Sequence, residues 1–340
     1  YHHPKHDKDN ALVNHALTHT MDYFSKNFKS YENDYFTVAE LPYFSSNQSF
    51  GSAQPGVYLG VENRFFNLNN EGAEVNPLLR GVSHEFAHQY WGNYIEPNYI
   101  GGYAILTETL CKYTELVMAR QLYGEYAANE EVHLSIDRYL NMRSHNPRIE
   151  NPLYAAGFEP FLYYAKGKQV MHAMLGLLGE EKINLALKGL LTSHGYPKKP
   201  TSLDLLDAFY GVANEKQKLI IDDMFKRVVF HDFEIHSAET AINDEGLYAT
   251  EIDVSTLKLV LDQKTNQEMP ELINDAIEIG LYSGFPEVDN SNMLTLTKLQ
   301  FNSDRSVVTV YSTEKPQYVQ IDPNRYRIDR AVANNVMEIQ

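Results

Sequence analysis

Apolar positions change their period twice along this chain, and the changes divide it. Residues from about 10 to 29 carry apolar side chains at helical spacing. Two short alternating runs follow, Phe36-Thr37-Val38-Ala39-Glu40-Leu41 and Gly56-Val57-Tyr58-Leu59-Gly60-Val61-Glu62, which predict strands on either side of a Ser/Gln/Gly-rich loop. Helical period returns after Asn76-Pro77, and Ala104 to Arg120 predicts a second helix with Leu106, Leu110, Tyr113 and Val117 on one face. From Phe158 to Val229 the pattern is mostly helical, broken at Gly179-Glu180-Glu181 and at Gly195-Tyr196-Pro197-Lys198-Lys199-Pro200, with Thr201-Ser202-Leu203-Asp204 opening another helix. Beyond about Glu234 the period becomes two. Leu247 to Val254, Lys258 to Leu261, Ala276 to Tyr282, Leu294 to Phe301, Val307 to Tyr311 and Gln317 to Ile321 alternate between turn signals, as a small all-β module would. The expected division is therefore 1–233, a mixed and mainly helical domain, and 234–340, a β domain. No internal repeat interrupts either part.

The helical region holds the chemistry. In His84-Glu85-Phe86-Ala87-His88 the histidines are four apart, so a helix presents both imidazoles on one face, with Glu85 projecting beside them. Nineteen residues separate His88 from Glu108, which lies on the second predicted helix and can complete a His-His-Glu set for one zinc ion. Three protein donors leave a fourth position open, which distinguishes a catalytic zinc from a structural one. Although the chain has 13 histidines, accidental matches to the His-Glu-x-x-His pattern number only roughly 0.03 to 0.04 per chain of this kind. The bland alternative, a satisfied pair of core histidines, requires the carboxylates and the second helix to be coincidences. Cys111, three residues after Glu108, reads as a small buried apolar residue because the donor set is already full. The His-rich start, Tyr1-His2-His3-Pro4-Lys5-His6, has no predicted scaffold around it and reads as a solvated end.

Composition narrows the partners. A formal charge of -16 excludes the electrostatics of nucleic-acid binding and is unfavourable at anionic membrane surfaces. The sequence contains no run of about 18 apolar residues that would span a membrane. A single cysteine excludes an intrachain disulfide and leaves the compartment open. A start at Tyr1, without Met or a signal-like apolar segment, is expected of a domain cut from a longer polypeptide.

Four segments in order resemble one family. His84-Glu85-Phe86-Ala87-His88-Gln89-Tyr90-Trp91-Gly92-Asn93 with Glu108 is similar to the zinc signature of the aminopeptidase N family of gluzincin metallopeptidases. Leu59-Gly60-Val61-Glu62-Asn63 resembles its Gly-x-Met-Glu-Asn strand, and Tyr164-Ala165-Lys166-Gly167 its Tyr-x-Lys-Gly. Ile321-Asp322-Pro323 and Ile328-Asp329-Arg330 resemble the end of its small β-sandwich. The resemblance implies an α+β architecture, with a thermolysin-like catalytic domain of a small β-sheet lobe and a helical lobe, followed by a β-sandwich. It assigns Tyr164 to the developing oxyanion and Glu62 to the substrate's free α-ammonium, with the strand of Glu62 pairing with the peptide backbone. Two features depart from the usual pattern: the His88 to Glu108 interval is one residue longer, and Leu-Thr-Glu-Thr replaces Leu-Asn-Glu-Gly. Together with Gln89-Tyr90-Trp91 they look like a branch fused to transporter-type membrane segments, which points to an extracytoplasmic, membrane-tethered domain. Leu59, where the family often has Gly, either narrows the first substrate pocket or shifts the strand.

The function these residues imply is zinc-dependent hydrolysis of peptide bonds at the substrate's N-terminus, with Glu85 as general base and then general acid. One alternative is an endopeptidase or a hydrolase of a non-peptide substrate, which an open non-primed end of the cleft would permit. Another is a tethered binding or sensing module that keeps zinc without turnover. Glu62 separates the first two readings, because only an aminopeptidase should need it and reject N-acetylated peptides.

Overall fold

Asn76 and Pro77 show how local sequence sets the first catalytic element. Asn76 is extended and its side chain accepts from the Leu78 N–H at 2.9 Å, while Pro77 occupies the first turn, where no N–H is required. The computed structural model describes residues 1–45, 51–64, 75–287 and 290–340. These form two compact units, one of residues 1–135 and 153–218 and the other of residues 136–152 and 219–340.

In the first unit, helix α1 (Asn10–Asn27) precedes a three-stranded sheet of β1 (Thr37–Leu41), β2 (Gly51–Gln54) and β3 (Val57–Val61), in the order β1-β3-β2. β3 is central, parallel to β1 and antiparallel to β2. The sequence pattern omits β2 because Gly-Ser-Ala-Gln has little intrinsic strand preference; its ladder to β3 supplies the order. Helix α2 (Pro77–Ala87) buries Leu78, Leu79, Val82 and Phe86. Phe86 packs edge-on against Phe24 of α1 and Phe36 beside β1, so α2 is fixed against both.

The predicted helix from Ala104 has a different opening. Residues Ile105–Thr109 form a π-helical turn, followed by α3 (Leu110–Ser144), which is broken at Gly124 by a φ of 88°. A second π-helical turn, Phe161–Lys166, leads into α4 (Gly167–Leu178), followed by α5 (Glu180–His194), α6 (Ser202–Tyr210) and α7 (Glu215–Phe225). The helix start predicted at Thr201-Ser202-Leu203-Asp204 is a capping box, the Thr201 and Asp204 side chains each bonded to the other's backbone. No helix among the described residues is long and apolar enough to cross a membrane.

The second unit is built on antiparallel strands. β4 (Val229–Ile242) and β5 (Tyr248–Leu261) form a long pair, with β6 (Glu268–Glu271) and β9 (Arg305–Ser312) on the other edge of β5. β7 (Asp275–Tyr282), β8 (Met293–Phe301), β10 (Tyr318–Ile321) and β11 (Val336–Glu338) form the other sheet, in the order β11-β10-β7-β8. Phe233, Ile235, Ile252 and Val254 from one sheet share a buried cluster with Ile277, Ile279, Leu281 and Val319 from the other. That shared core makes the unit a sandwich. Two of the predicted runs, 247–254 and 258–261, are one strand, because Ser255, Thr256 and Leu257 continue the alternation of buried and half-buried positions, with the polar Thr256 taking a buried one.

Candidate metal and catalytic centre

His84 and His88 leave the last turn of α2 on one face, with ring centroids 4.9 Å apart. Glu108, in the first π-helical turn, meets both: its Oε2 is 3.2 Å from His84 Nε2 and 3.5 Å from His88 Nε2. Tetrahedral zinc with arms of about 2.0–2.2 Å holds neighbouring donors about 3.3–3.6 Å apart, close to these separations of 3.2 and 3.5 Å. Two imidazoles and one carboxylate are also the donor chemistry zinc accepts.

The outer ring atoms support this orientation. His88 Nδ1 donates to the Trp91 carbonyl at 3.0 Å, which leaves the Nε2 lone pair free to face inwards. Gly92, at a φ of 121°, lets the chain turn immediately after that carbonyl. His84 Nδ1 lies 2.8 Å from Glu115 Oε1. This approach is a charge contact and not an aligned hydrogen bond, since Nδ1 has no partner in hydrogen-bonding geometry.

Glu115 joins the site from outside the predicted donor set. It lies seven positions after Glu108, two helical turns further along the same face, and that spacing was the available signal. Its carboxylate is buried and flanked by Lys112 Nζ at 2.6 Å and Lys168 Nζ at 3.1 Å; Lys168 also reaches Glu131, which Arg80 binds at 2.8 Å. Burial opposes the Glu115 charge, but the two ammonium groups outweigh it and hold the carboxyl well below its usual range. Lys112 is pulled down by its own burial even beside Glu115, so the carboxylate is the member whose charge the cluster stabilises most.

Glu85 stands next to the donors, and burial chiefly raises its pKa, with the neighbouring carboxylates adding to the rise against the two imidazoles. Tyr164, in the second π-helical turn, has its ring centroid 6.3 Å from that of His84. Burial, and then the Glu108 carboxylate, push its hydroxyl far above the usual phenol range, so it remains a donor. The two π-helical turns are tied by Thr109 Oγ1 donating to the Tyr163 carbonyl at 2.7 Å. A Cβ on Gly167 would come within 2.5 Å of Thr109 Oγ1, which gives the glycine of Tyr164-Ala165-Lys166-Gly167 a steric reason. Widened helical turns recur at functional sites because they re-aim one residue without ending the helix.

Cys111 is fully buried, and its sulfur lies within 4.8 Å of the two imidazole donor atoms. Burial and the carboxylates of Glu108, Glu85 and Glu115 all resist ionisation of the thiol. Only a thiolate binds zinc well, so Glu108 is the better third donor.

Glu62 is placed differently from the expectation. It opens a 3-10 turn (Glu62–Arg64) at the end of β3, and β3 is paired on both sides over residues 57–60, with Val61 paired to β1 alone. The backbone of residues 57–60 is therefore not available to pair with a substrate. Among the described residues no hydrogen bond or ion pair joins Glu62 to His84, His88, Glu108 or Glu85; its Oε2 accepts from the Tyr43 N–H at 3.3 Å. The His-rich start is also not a solvated end throughout. His6 is buried and bonds Glu40 of β1 at 2.6 Å, a scaffold that the local sequence does not reveal.

A histidine pair on a helix end, a glutamate from a following turn and a β-sandwich unit define a metallopeptidase architecture. The chain belongs to peptidase family M1, whose domain matches residues 13–227. Among solved structures it is similar to aminopeptidase A of Legionella pneumophila, determined in complex with aspartic acid, with a TM-score of 0.61 and 13% identity. That match covers 94% of this chain and 34% of the other, so this chain spans about a third of its length. A comparison with curated protein sequences gives no match.

The carboxylates around His84 favour a proton on it where no metal ion competes for the ring. Burial and the Lys112 ammonium lower the His84 pKa, but the hydrogen bond to Glu108 and the Glu115 carboxylate beside Nδ1 more than offset them and leave it at about 9. Metal uptake below that pH must displace this proton, so zinc affinity should rise about tenfold per pH unit from about pH 7 to 8.5. Competition against a chromogenic chelator of known proton linkage measures this; a flat profile would mean that His84 is neutral without metal.

Proposed function

We propose that this chain is the catalytic portion of a zinc-dependent aminopeptidase with a thermolysin-like arrangement of its sheet and helical lobes. The convergence of His84, His88 and Glu108, with Glu85 beside them, carries the reading. All these groups lie within residues 1–233, the stretch expected to form the catalytic domain. His84, His88 and Glu108 would hold the zinc, which when bound supplies Lewis-acid polarisation of the scissile carbonyl and acidifies water.

Glu85 takes a proton from the attacking water and passes it to the leaving amine. Its upward-shifted pKa suits both roles near neutral pH, because a stronger base accepts the proton more readily and the resulting acid still releases it. Tyr164 donates its hydroxyl proton in a hydrogen bond to the carbonyl oxygen as negative charge develops. Tyr164→Phe should lower kcat by about a hundredfold or more, equivalent to about 3 kcal/mol, and leave KM nearly unchanged. Steady-state kinetics with a free-N-terminus peptide amide checks this, and an equal change in KM alone would assign Tyr164 to ground-state binding.

Glu62 supplies the anion for the substrate's α-ammonium. The test compares peptides with free and acetylated N-termini in wild type and Glu62→Ala. The wild type should cleave only free N-termini, and the variant should lose about 10- to 100-fold in kcat/KM on them, the worth of a charged hydrogen bond. Equal cleavage of acetylated peptides would replace the aminopeptidase reading with an endopeptidase.

A further inference from the structure

Glu62 has a neighbour that the family signature does not include. The main chain at Tyr1 lies along β1, where the Glu40 N–H donates to the Tyr1 carbonyl at 2.8 Å. The Glu40 carboxylate then binds the following residues, accepting from the His3 N–H at 2.5 Å and from His6 Nδ1 at 2.6 Å. Both side chains are nearly closed to solvent, with 9% exposure for His6 and 5% for Glu40.

This contact fixes how a neutral His6 ring presents itself. An ionised carboxylate only accepts, so the proton is on Nδ1 and the lone pair on Nε2. Nε2 faces Glu62 Oε1 at 4.0 Å, and Glu62 keeps 28% of its side chain exposed. Two acceptors that face one another at that distance are too far apart to bond and close enough to share a donor. An ammonium nitrogen about 2.8 Å from each would see them at an angle of about 90°, near the spread of its own N–H bonds.

We propose that His6 Nε2 and Glu62 Oε1 together hold the substrate's free α-ammonium, which makes His6 a specificity-determining residue. The inference rests on the reading of Glu62 above and adds a second acceptor to it. An ammonium has three N–H groups and a single carboxylate satisfies them incompletely, so a second fixed acceptor strengthens selection for a free N-terminus. Glu40 acts only by holding the ring.

The experiment uses the whole chain in the Glu85→Gln background, where peptides bind without turnover, and measures by calorimetry the affinities of a free tripeptide and its N-acetylated form. His6→Phe keeps a planar ring but removes Nε2 together with the Nδ1 donor to Glu40, and should weaken the free peptide about tenfold without changing the acetylated one. Glu40→Gln still offers an oxygen to Nδ1–H and should keep the free peptide within about threefold. Thermal melting of each variant shows whether residues 1–9 remain docked. An unchanged affinity in a folded His6→Phe would overturn the inference. A tighter one would do so too, by showing that His6 occupies Glu62 as an imidazolium, and so would a second bound zinc that requires His6. If Glu62→Ala itself leaves the preference for free peptide intact, the Glu62 reading fails as well, and the two failures are told apart.

Discussion

Glu85→Gln should lower kcat by about 10³- to 10⁴-fold, at the upper range of what a positioned general base contributes, while the protein stays folded and binds about one zinc per chain. The substitution is nearly isosteric, but an amide oxygen cannot take a proton from water near neutral pH. His84, His88 and Glu108 are untouched, so the donor separations of 3.2 and 3.5 Å remain. Burial already disfavours the Glu85 charge, so removing that charge should leave the melting temperature unchanged or raise it. Metal analysis, melting and single-turnover hydrolysis on one preparation separate these effects. Activity within tenfold of wild type would remove Glu85 from the mechanism and favour a domain that binds zinc for another purpose.

Glu115→Ala should have the largest effect on stability, about 3–5 kcal/mol, and should weaken zinc binding about 10- to 100-fold. The carboxylate is 4% exposed and touches three cationic partners: Lys112 at 2.6 Å, His84 at 2.8 Å and Lys168 at 3.1 Å. Lys168 is itself 4% exposed, so deleting Glu115 leaves a buried ammonium with Glu131 alone. The metal effect has a separate origin, since His84 loses the carboxylate in charge contact with its outer nitrogen and with it part of its orientation. Glu115→Gln keeps the volume and an acceptor but not the charge, so it should cost less than the alanine. Denaturant unfolding of the metal-free forms isolates the first effect, and zinc competition the second. A loss below about 1 kcal/mol would show that the lysines find other partners or turn to solvent.

The centre was legible in the sequence to the extent that helix geometry dictates it. Four-residue spacing alone puts His84 and His88 on one face, and it remains true although His88 is the C-cap residue of α2. Glu115 lies two turns after Glu108 on one helix face, but a glutamate at that spacing is equally at home on a solvated surface, and only the packing of Lys112, Lys168 and His84 around it gives it a role. The two π-helical turns were not legible, since no residue pattern separates them from an α-helix. Nor was the position of Glu62: alternation predicted a strand up to it, but not that β2, a segment with little strand preference, would take the open side of β3.

The sequence by itself determined periodicities: which segments become helices or strands, which face each buries, and which side chains within one helix stand together. These follow from local backbone geometry, so they need no knowledge of the rest of the chain. The tertiary structure decided every meeting between segments: Glu108 with the two histidines, Lys168 with Glu115, Glu40 with His6, and Gly167 with Thr109. Such meetings depend on how loops close and how separate faces pack. Burial then changed the chemistry of the residues brought together, since a charge removed from water takes its properties from its new neighbours.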